Sequence, residues 1–295
     1  MAIPVILDTD LGDDIDDVWA LAMLLRSPEL APQLILTAYR DTEARAKIAA
    51  KALAIANRAD IPIGIGLRGE PKPEAMAQYP WAADYDLGRY PGRIYADGVQ
   101  AMIDFVRASP EPITLIAIAP TPNIAEALRR APDIAGRIHY VGMQGSVYRG
   151  YQGSPEPSAE WNVVADIASC QKTFAAPWKS MTITPLDSCG VVQLNAEEYR
   201  VIANSADPLM RAVVEGYRIW LRGTPDTVSS ILYDTVAVFL AYSRRWLKME
   251  TLRLLVDDKG YTRIHPQGQP MAVAVGWFDL PAYRAYLVKR LLGEV

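Results

Sequence analysis

The stretch Ile3-Pro4-Val5-Ile6-Leu7-Asp8-Thr9-Asp10-Leu11-Gly12-Asp13-Asp14-Ile15-Asp16-Asp17 decides how the rest of the chain is read. An apolar run of strand length ends in ten residues, 8 to 17, that carry six carboxylates. Behind them, Val18-Trp19-Ala20-Leu21-Ala22-Met23-Leu24-Leu25 has the length and apolar density of a buried helix, stopped at Ser27-Pro28. The first unit is therefore strand, acidic turn, helix. Two unit charges about 4 Å apart repel by roughly 4 kcal/mol at an effective dielectric near 20, so carboxylates crowded this way need a cation, shared protons or full solvation.

Working outward, Leu34 to Tyr39 reads as a second strand, Thr42 caps a long helix through Asn57 rich in Ala, Lys and Arg, and Ile61 to Ile65 reads as a third strand. The alternation predicts an α/β fold: a mostly parallel central sheet with helices on both faces and a Rossmann-like core. From Leu67 to Ile94 the periodicity vanishes in a segment holding Pro71, Pro73, Pro80 and Pro91 with Tyr79, Trp81, Tyr85 and Tyr90. It reads as a lid or binding loop, or as a surface excursion that packs its own aromatics. Regularity returns with a helix from Asp97 to Arg107, a strand from Ile113 to Ile118, the turn Ala119-Pro120-Thr121-Pro122-Asn123, a helix through Arg130 and a strand from Ile138 to Gly142.

Residues 145–160 are loop-like and deliver Glu160-Trp161-Asn162 into a new segment. Asp166 begins a helix, and Met181 to Thr184 reads as a last short parallel strand. Beyond it, Pro208 to Leu221 and Ser230 to Tyr242 read as helices, and Asp258-Lys259-Gly260 turns a small β-hairpin. With no repeat, low-complexity tract or linker, residues 1–295 are expected to form a single domain with an elaborated helical C-terminal part.

Composition narrows the function classes. At 295 residues and 51% hydrophobic content the chain has ample material for a buried core, and its net charge of -4 and pI near 5.4 argue against a nucleic-acid partner held through its phosphates. A small ligand is the better expectation. Cys170 and Cys189 make neither a C-x-x-C pair nor a disulfide framework, no basic leader with an apolar segment opens the chain, and no apolar run approaches the roughly 18 residues of a membrane span. A cytoplasmic protein with reduced thiols is expected.

Helix capping and the helix dipole account for one or two of the six carboxylates. The surplus favours a divalent-cation site, because hard cations take oxygen ligands. A calcium-binding helix-loop-helix is excluded: counted from Asp8, Gly12 is fifth and Trp19 twelfth, where that loop wants Gly at 6 and Glu at 12. A strand ending in Asp-x-Asp also resembles the magnesium-dependent haloacid-dehalogenase-type phosphatases, with Asp8 as nucleophile, Asp10 as acid, and Lys179 and Asp257-Asp258 pressed into the remaining roles. Leu11-Gly12 departs from that motif.

The inosine-uridine-preferring nucleoside hydrolase family offers a fuller resemblance. Its N-terminal signature of Asp-x-Asp, Gly and a paired Asp before Ala-x-Ala-Leu is similar to Asp8, Asp10, Gly12, Asp16-Asp17 and Trp19-Ala20-Leu21. Tyr39-Arg40-Asp41-Thr42 stands where the family has a Gly-Asn or Gly-Asp turn. Ala119-Pro120-Thr121-Pro122-Asn123-Ile124-Ala125 resembles its Gly-Pro-Leu-Thr-Asn-Ile-Ala, Glu160-Trp161-Asn162 its Glu-Phe-Asn, and Tyr233-Asp234-Thr235-Val236-Ala237 its His-Asp-Pro-x-Ala. The likeness spans residues 3 to about 240.

What this resemblance implies is a calcium-dependent hydrolysis of the N-glycosidic bond of ribonucleosides, releasing ribose and a free base. Asp10, Asp17, Asp234 and the main-chain carbonyl of Ile118 would bind Ca²⁺, and Asp10 would activate a metal-bound water. Asp16, Asp41, Glu160 and Asn162 would hold the ribose hydroxyls, with Trp161 against the ribose or base, or else in the core. The alternative role of Asp41 is a helix cap. Ser154 stands where an Asn that binds the 5′ hydroxyl is often found, and Tyr233 where a His protonates the base. Three residues, Asp13-Asp14-Ile15, stand between Gly12 and Asp16-Asp17 where the family has one, so Asp14 is the alternative ligand. His139 and His265, the two histidines of the chain, fall in no matching motif. The resemblance further implies a homodimer or homotetramer. A ribose or nucleoside binder that has lost its acid is the competing non-enzymatic reading.

Overall fold

The computed structural model describes residues 2–69 and 72–295, so Pro71 of the proline-rich segment lies outside the described residues. The chain runs β1 (Ile3–Thr9), α1 (Asp16–Leu25), β2 (Leu30–Thr37), α2 (Thr42–Ile55), β3 (Ile63–Ile65), α3 (Tyr79–Ala82), β4 (Ile94–Tyr95), α4 (Gly98–Ala108), β5 (Ile113–Ala117), α5 (Pro122–Arg130) and β6 (Ile138–Gly142). It continues through α6 (Trp161–Val164), α7 (Ile167–Ala175), β7 (Ser180–Ile183), α8 (Leu186–Cys189), α9 (Ala196–Ala203), α10 (Pro208–Leu221), α11 (Thr235–Leu240), β8 (Leu247–Val256), β9 (Thr262–Ile264), β10 (Gln269–Trp277) and α12 (Leu280–Leu292). The ten strands form one sheet in the order β4-β3-β2-β1-β5-β6-β7-β10-β8-β9. Pairing is parallel from β4 across to β10 and antiparallel for β10 with β8 and β8 with β9.

The strands are apolar throughout because both faces of the sheet are covered, as parallel sheets require. Side chains alternate between faces, so Val5 and Leu7 enter one core cluster while Ile6 enters the other; Ile35 separates from Leu34 and Leu36 in the same way. The chain leaves β1 toward β2, β3 and β4, then returns to place β5 on β1's other side. That reversal opens a crevice at the carboxyl ends of β1 and β5, where α/β sheets bind their ligands.

Several expected boundaries move. Strand β2 begins at Leu30 and ends at Thr37, because Tyr39 and Arg40 have left-handed backbone (φ 64° and 57°) and turn the chain into α2. Asp41, not Thr42, is the α2 cap, accepting from the Ala44 N–H at 3.0 Å. Met181 to Thr184 is not the last parallel strand: β10 pairs parallel with β7 through Ala272 with Thr182 and Val273 with Ile183. The expected hairpin is the β8–β9 edge of the main sheet. Helix α11 starts at Thr235 rather than Ser230, leaving Tyr233 and Asp234 at its N-terminus with backbone N–H groups unused by the helix.

The segment from Leu67 to Ile94 carries α3 and two short 3-10 turns, and its aromatics do not form a cluster of their own. Trp81 and Tyr90 are buried in the main core, Tyr79 and Tyr85 pack against it, and the Tyr90 hydroxyl donates to the Ile61 carbonyl at 2.6 Å. Among the described residues no helix is long and apolar enough to cross a membrane.

Candidate active site

Two connections at the sheet's carboxyl edge build the site. In the first, Gly12 adopts φ +123°, and a Cβ there would lie 2.9 Å from Ile48 Cδ1, so only glycine lets the acidic turn sit down on α2. Asp16 and Asp17 then form the first turn of α1, where the helix dipole favours carboxylates. The Thr9 hydroxyl donates to Asp17 Oδ1 at 2.5 Å, and Asp16 Oδ2 accepts from the Asp234 N–H at 3.3 Å. In this way the N-termini of α1 and α11 bring Asp16, Asp17 and Asp234 together, with an oxygen of each within 4.8 Å of the others.

All three are nearly inaccessible, and burial pushes each carboxyl well above its ordinary range. Neighbouring carboxylates push further: Asp14 on Asp16, Asp10 and Asp16 on Asp17, Asp16 and Asp17 on Asp234. Burial also lifts Asp10 to about 6, against the pull of the Arg45 guanidinium. The donor set is entirely hard oxygen and no lysine or arginine bonds to these three side chains among the described residues, so the site fits a hard divalent cation.

A cavity of about 480 Å³ opens over this floor, lined by Asp10, Asp13, Asp14, Asp16, Asp17, Ile118, Glu160, Trp161, Asn162, Tyr233 and Asp234 among others. Most of the site residues expected from sequence therefore converge. Asp10 lies in the lining but outside the close oxygen cluster, and Asp16 stands in the cluster instead. Asp14 borders the cavity as an exposed side chain, its carboxylate accepting from the Ile15 N–H at 2.8 Å. The Ile118 carbonyl accepts from Asn162 Nδ2 at 3.3 Å, and the same amide donates to the Met143 carbonyl at 3.0 Å. Glu160 caps α6: its oxygens accept from the Gly145 N–H at 3.0 Å and the Asn162 N–H at 2.7 Å, while burial, opposed by those bonds, sets its carboxyl at about 7. Trp161 is not in the core; it is 47% exposed at the cavity mouth, edge-on to Tyr39 at 6.4 Å.

Two expected ribose contacts are not among the cavity-lining residues. Asp41 is occupied with capping α2, and its neighbour Arg40 enters the lining. Ser154 belongs to the 150–154 turn, where its Oγ accepts from the Glu156 N–H at 3.3 Å. Among the described residues of the Leu67 to Ile94 segment, Ala75 and Ala77 alone touch the cavity, which is far from an aromatic lid. Neither histidine is in the lining: His139 pairs with the Ser180 hydroxyl at 2.6 Å, and the His265 ring accepts from the Gln267 N–H at 3.2 Å.

Several residues that hold the site carry no assignment from sequence. Arg45, with a fully buried side chain, donates from Nε to the Tyr39 carbonyl at 2.8 Å, from Nη1 to the carbonyls of Asp10 and Leu11, and from Nη2 to Asp13 Oδ2 at 2.7 Å. It ties the β1–α1 and β2–α2 turns to one another. A signal was present, because Arg45 shares a helical face with the buried Ile48, Ala49, Ala52 and Leu53. Asn123 donates to Asp8 Oδ1 at 2.8 Å and to the Thr37 carbonyl at 3.0 Å, and accepts from the Leu67 N–H at 2.8 Å. Asp8 is thus fully buried behind the site, its carboxyl lifted by burial to about 7, and it is not in the cavity lining. A nucleophilic Asp8 is incompatible with that position, and Lys179 and Asp257-Asp258 are likewise outside the lining. Tyr151 is another unforeseen member, with Met143, Trp220 and Arg222; its ring meets Tyr233 edge-on at 6.4 Å and its hydroxyl accepts from the Trp161 N–H at 2.8 Å.

Residues 5–280 match the sequence profile of the inosine-uridine preferring nucleoside hydrolases. The chain belongs to this family. Among its nucleoside hydrolase relatives, the pyrimidine-specific ribonucleoside hydrolase RihA of Enterobacter sp. (strain 638) is 26% identical over 235 residues, 73% of this chain and 70% of that protein. The non-specific ribonucleoside hydrolase RihC of Klebsiella pneumoniae (strain 342) is 34% identical over 183 residues, 59% of this chain and 58% of its own length. The fold is that of the solved plant nucleoside hydrolase PpNRh1 (TM-score 0.81, 23% identity) and of the purine-preferring ribonucleoside hydrolase from Gardnerella vaginalis (TM-score 0.80, 21% identity), each matched over 99% of both chains.

Proposed function

We propose that this nucleoside hydrolase family member cleaves the N-glycosidic bond of ribonucleosides to ribose and a free base, with calcium as the metal. The observation that carries the reading is the convergence of Asp16, Asp17 and Asp234 on one point at the carboxyl edge of β1 and β5. Asp17 and Asp234 belong both to this cluster and to the ligand set implied by the family, and they are the ligands on which the proposal rests. Asp10 and the Ile118 carbonyl complete the set from the same cavity wall. When bound, a calcium ion neutralises the crowded carboxylates and makes a water at the site more acidic.

The chain's own groups supply the rest. Asp10 takes the proton of the attacking water, a task for a carboxylate that lines the cavity beside the proposed metal ligands. Asp16, Glu160 and the Asn162 Oδ1 accept from the ribose hydroxyls, holding the sugar as C1′ gains oxocarbenium character. Tyr233, whose phenol burial keeps protonated well above neutral pH, donates a hydrogen bond to the departing base. The proposal is tested by incubating the protein with a nucleoside panel and measuring reducing sugar with and without chelator. No sugar released from any nucleoside in the presence of calcium overturns it; nucleoside affinity by calorimetry without turnover replaces it with the binder reading.

Two further outcomes follow. Calcium at one hundred times its Kd should stabilise the wild type by about 2.7 kcal/mol, raising Tm by roughly 4 °C. Asp17→Asn keeps the acceptor for Thr9, so it should fold, lose most of that calcium-dependent rise and have an apo Tm no lower than the wild type, since one crowded carboxylate is gone. An undiminished calcium shift in calorimetry would remove Asp17 from the ligand set. Tyr233→Phe should lower kcat about tenfold for nucleosides with a poorly leaving base, the worth of one hydrogen bond to developing charge. Its effect on 4-nitrophenyl riboside, whose leaving group needs no proton, should be much smaller; equal losses on both would give Tyr233 a packing role instead.

A further inference from the structure

We propose that the preferred substrate carries an anionic group, a phosphate or carboxylate on the nucleoside, received by Arg40 and Arg222 at the cavity mouth. This inference rests on the hydrolase reading above and names the substrate class of the same site. Both arginines line the cavity whose floor is acidic. Both also have left-handed backbone, at φ 57° for Arg40 and φ 50°, ψ 43° for Arg222 at the end of α10. Side chains other than Gly, Asn and Asp adopt that conformation at a cost, and such strain concentrates where a side chain must be aimed.

Two guanidinium groups enter the lining of this otherwise acidic cavity. The Arg40 guanidinium lies 5.1 Å from the Tyr39 ring centroid and 5.8 Å from that of Trp161, and its side chain is 45% exposed. Among the described residues its carboxylate partner is Asp13, whose Oδ2 is 3.7 Å away and already accepts from Arg45 at 2.7 Å. One carboxylate is thus divided between two guanidinium groups. Arg222 is exposed, and among the described residues its side chain has no carboxylate, carbonyl or ring partner. Some exposed arginines of the chain are paired, Arg107 with Asp133, Arg129 with Glu126 and Arg218 with Asp226 at 2.6–2.8 Å, while Arg200 and Arg211 are exposed without a partner among the described residues but lie away from this cavity. The opposing group on the rim is the exposed Asp14 carboxylate. A neutral nucleoside leaves two planar donor forks unused over the site, whereas a phosphate or carboxylate matches them in charge and geometry.

Matched substrate pairs test this: uridine against uridine 5′-monophosphate places the charge on the sugar, and uridine against orotidine places it on the base. With calcium and low salt, the anionic member of at least one pair should be preferred about tenfold or more in kcat/KM, and the preference should shrink as salt rises. Preference in the first pair assigns the arginines to a phosphate, in the second to a base carboxylate. The double variant Arg40→Asn, Arg222→Asn removes both charges while suiting left-handed backbone better than arginine does, so it should fold, and its ratio should fall to near one. Calorimetric Kd values for the same pairs read the preference without turnover. Equal or better use of the neutral member in both pairs, or a ratio that survives in the double variant, overturns the inference. Cleavage of neutral nucleosides with no anion preference sinks this inference alone, while failure to cleave any member of any pair sinks the hydrolase reading itself.

Discussion

Asp10→Asn is expected to lower kcat for nucleoside hydrolysis by about 10²- to 10⁴-fold, the range lost when a positioned general base is removed. Asparagine preserves shape but accepts no proton at its amide under these conditions, so the variant separates proton transfer from fold. The backbone of Asp10 is held independently of its side chain, because its carbonyl accepts from the buried Arg45. The close oxygen cluster is made by Asp16, Asp17 and Asp234 and survives the change. Calcium-dependent stabilisation should therefore persist in part while turnover collapses, which is the reverse of the pattern expected for Asp17→Asn. Measuring kcat alongside the calcium-induced Tm shift distinguishes the two roles. A kcat within tenfold of the wild type would remove Asp10 as the base, and complete loss of the calcium shift would make it primarily a ligand.

Arg45→Met is expected to cost about 3–5 kcal/mol of unfolding free energy, although Arg45 does not line the cavity. Methionine fills the apolar part of the space. It leaves the carbonyls of Tyr39, Asp10 and Leu11 without their donor and the Asp13 carboxylate without its close partner. Each buried acceptor left unmade costs about 1–3 kcal/mol, so the loss follows from the count of orphaned groups rather than from the ion pair alone. Denaturant unfolding measures it. Arg58→Ala serves as the control: its pair with Asp60 is on the surface, with side chains 34% and 64% exposed, and should be worth under about 1 kcal/mol. A loss below about 1 kcal/mol for Arg45→Met would show that the two turns hold their shape without this clamp.

The contrast between Arg45 and Asp8 shows where sequence reading stops. Both are charged residues in segments whose secondary structure was legible: Arg45 in a helix, Asp8 at the end of a strand. Periodicity marks the face of a helix a residue occupies, and so could have flagged Arg45, but it does not say which distant carbonyls meet its guanidinium. Asp8 reads as the residue that ends the first strand and orients the acidic turn from behind, but only the tertiary structure shows that strand alternation sets it on the face of Ile6, where Asn123 in the first turn of α5 is its partner. The aromatics of the proline-rich segment looked like a binding loop for a similar reason. Composition marks an irregular segment, whereas the direction each ring points depends on the core it meets, here α2 and the face of β3.

By itself the sequence determined the alternation of strands and helices, the acidic turn after the first strand, and the motif order that identifies the family. These are local properties: hydrophobic period, turn chemistry and residue spacing act over a few neighbours. Tertiary structure alone decided which carboxylates share a centre. The return of the chain to place β5 against β1, with α11 docked beside α1, brings Asp234 to Asp16 and Asp17 across more than two hundred residues. It turns Asp41 aside as a cap and delivers Arg40 in its place. Two successive left-handed residues determine that exchange, and their conformation is stabilised by what Arg45 holds beneath them.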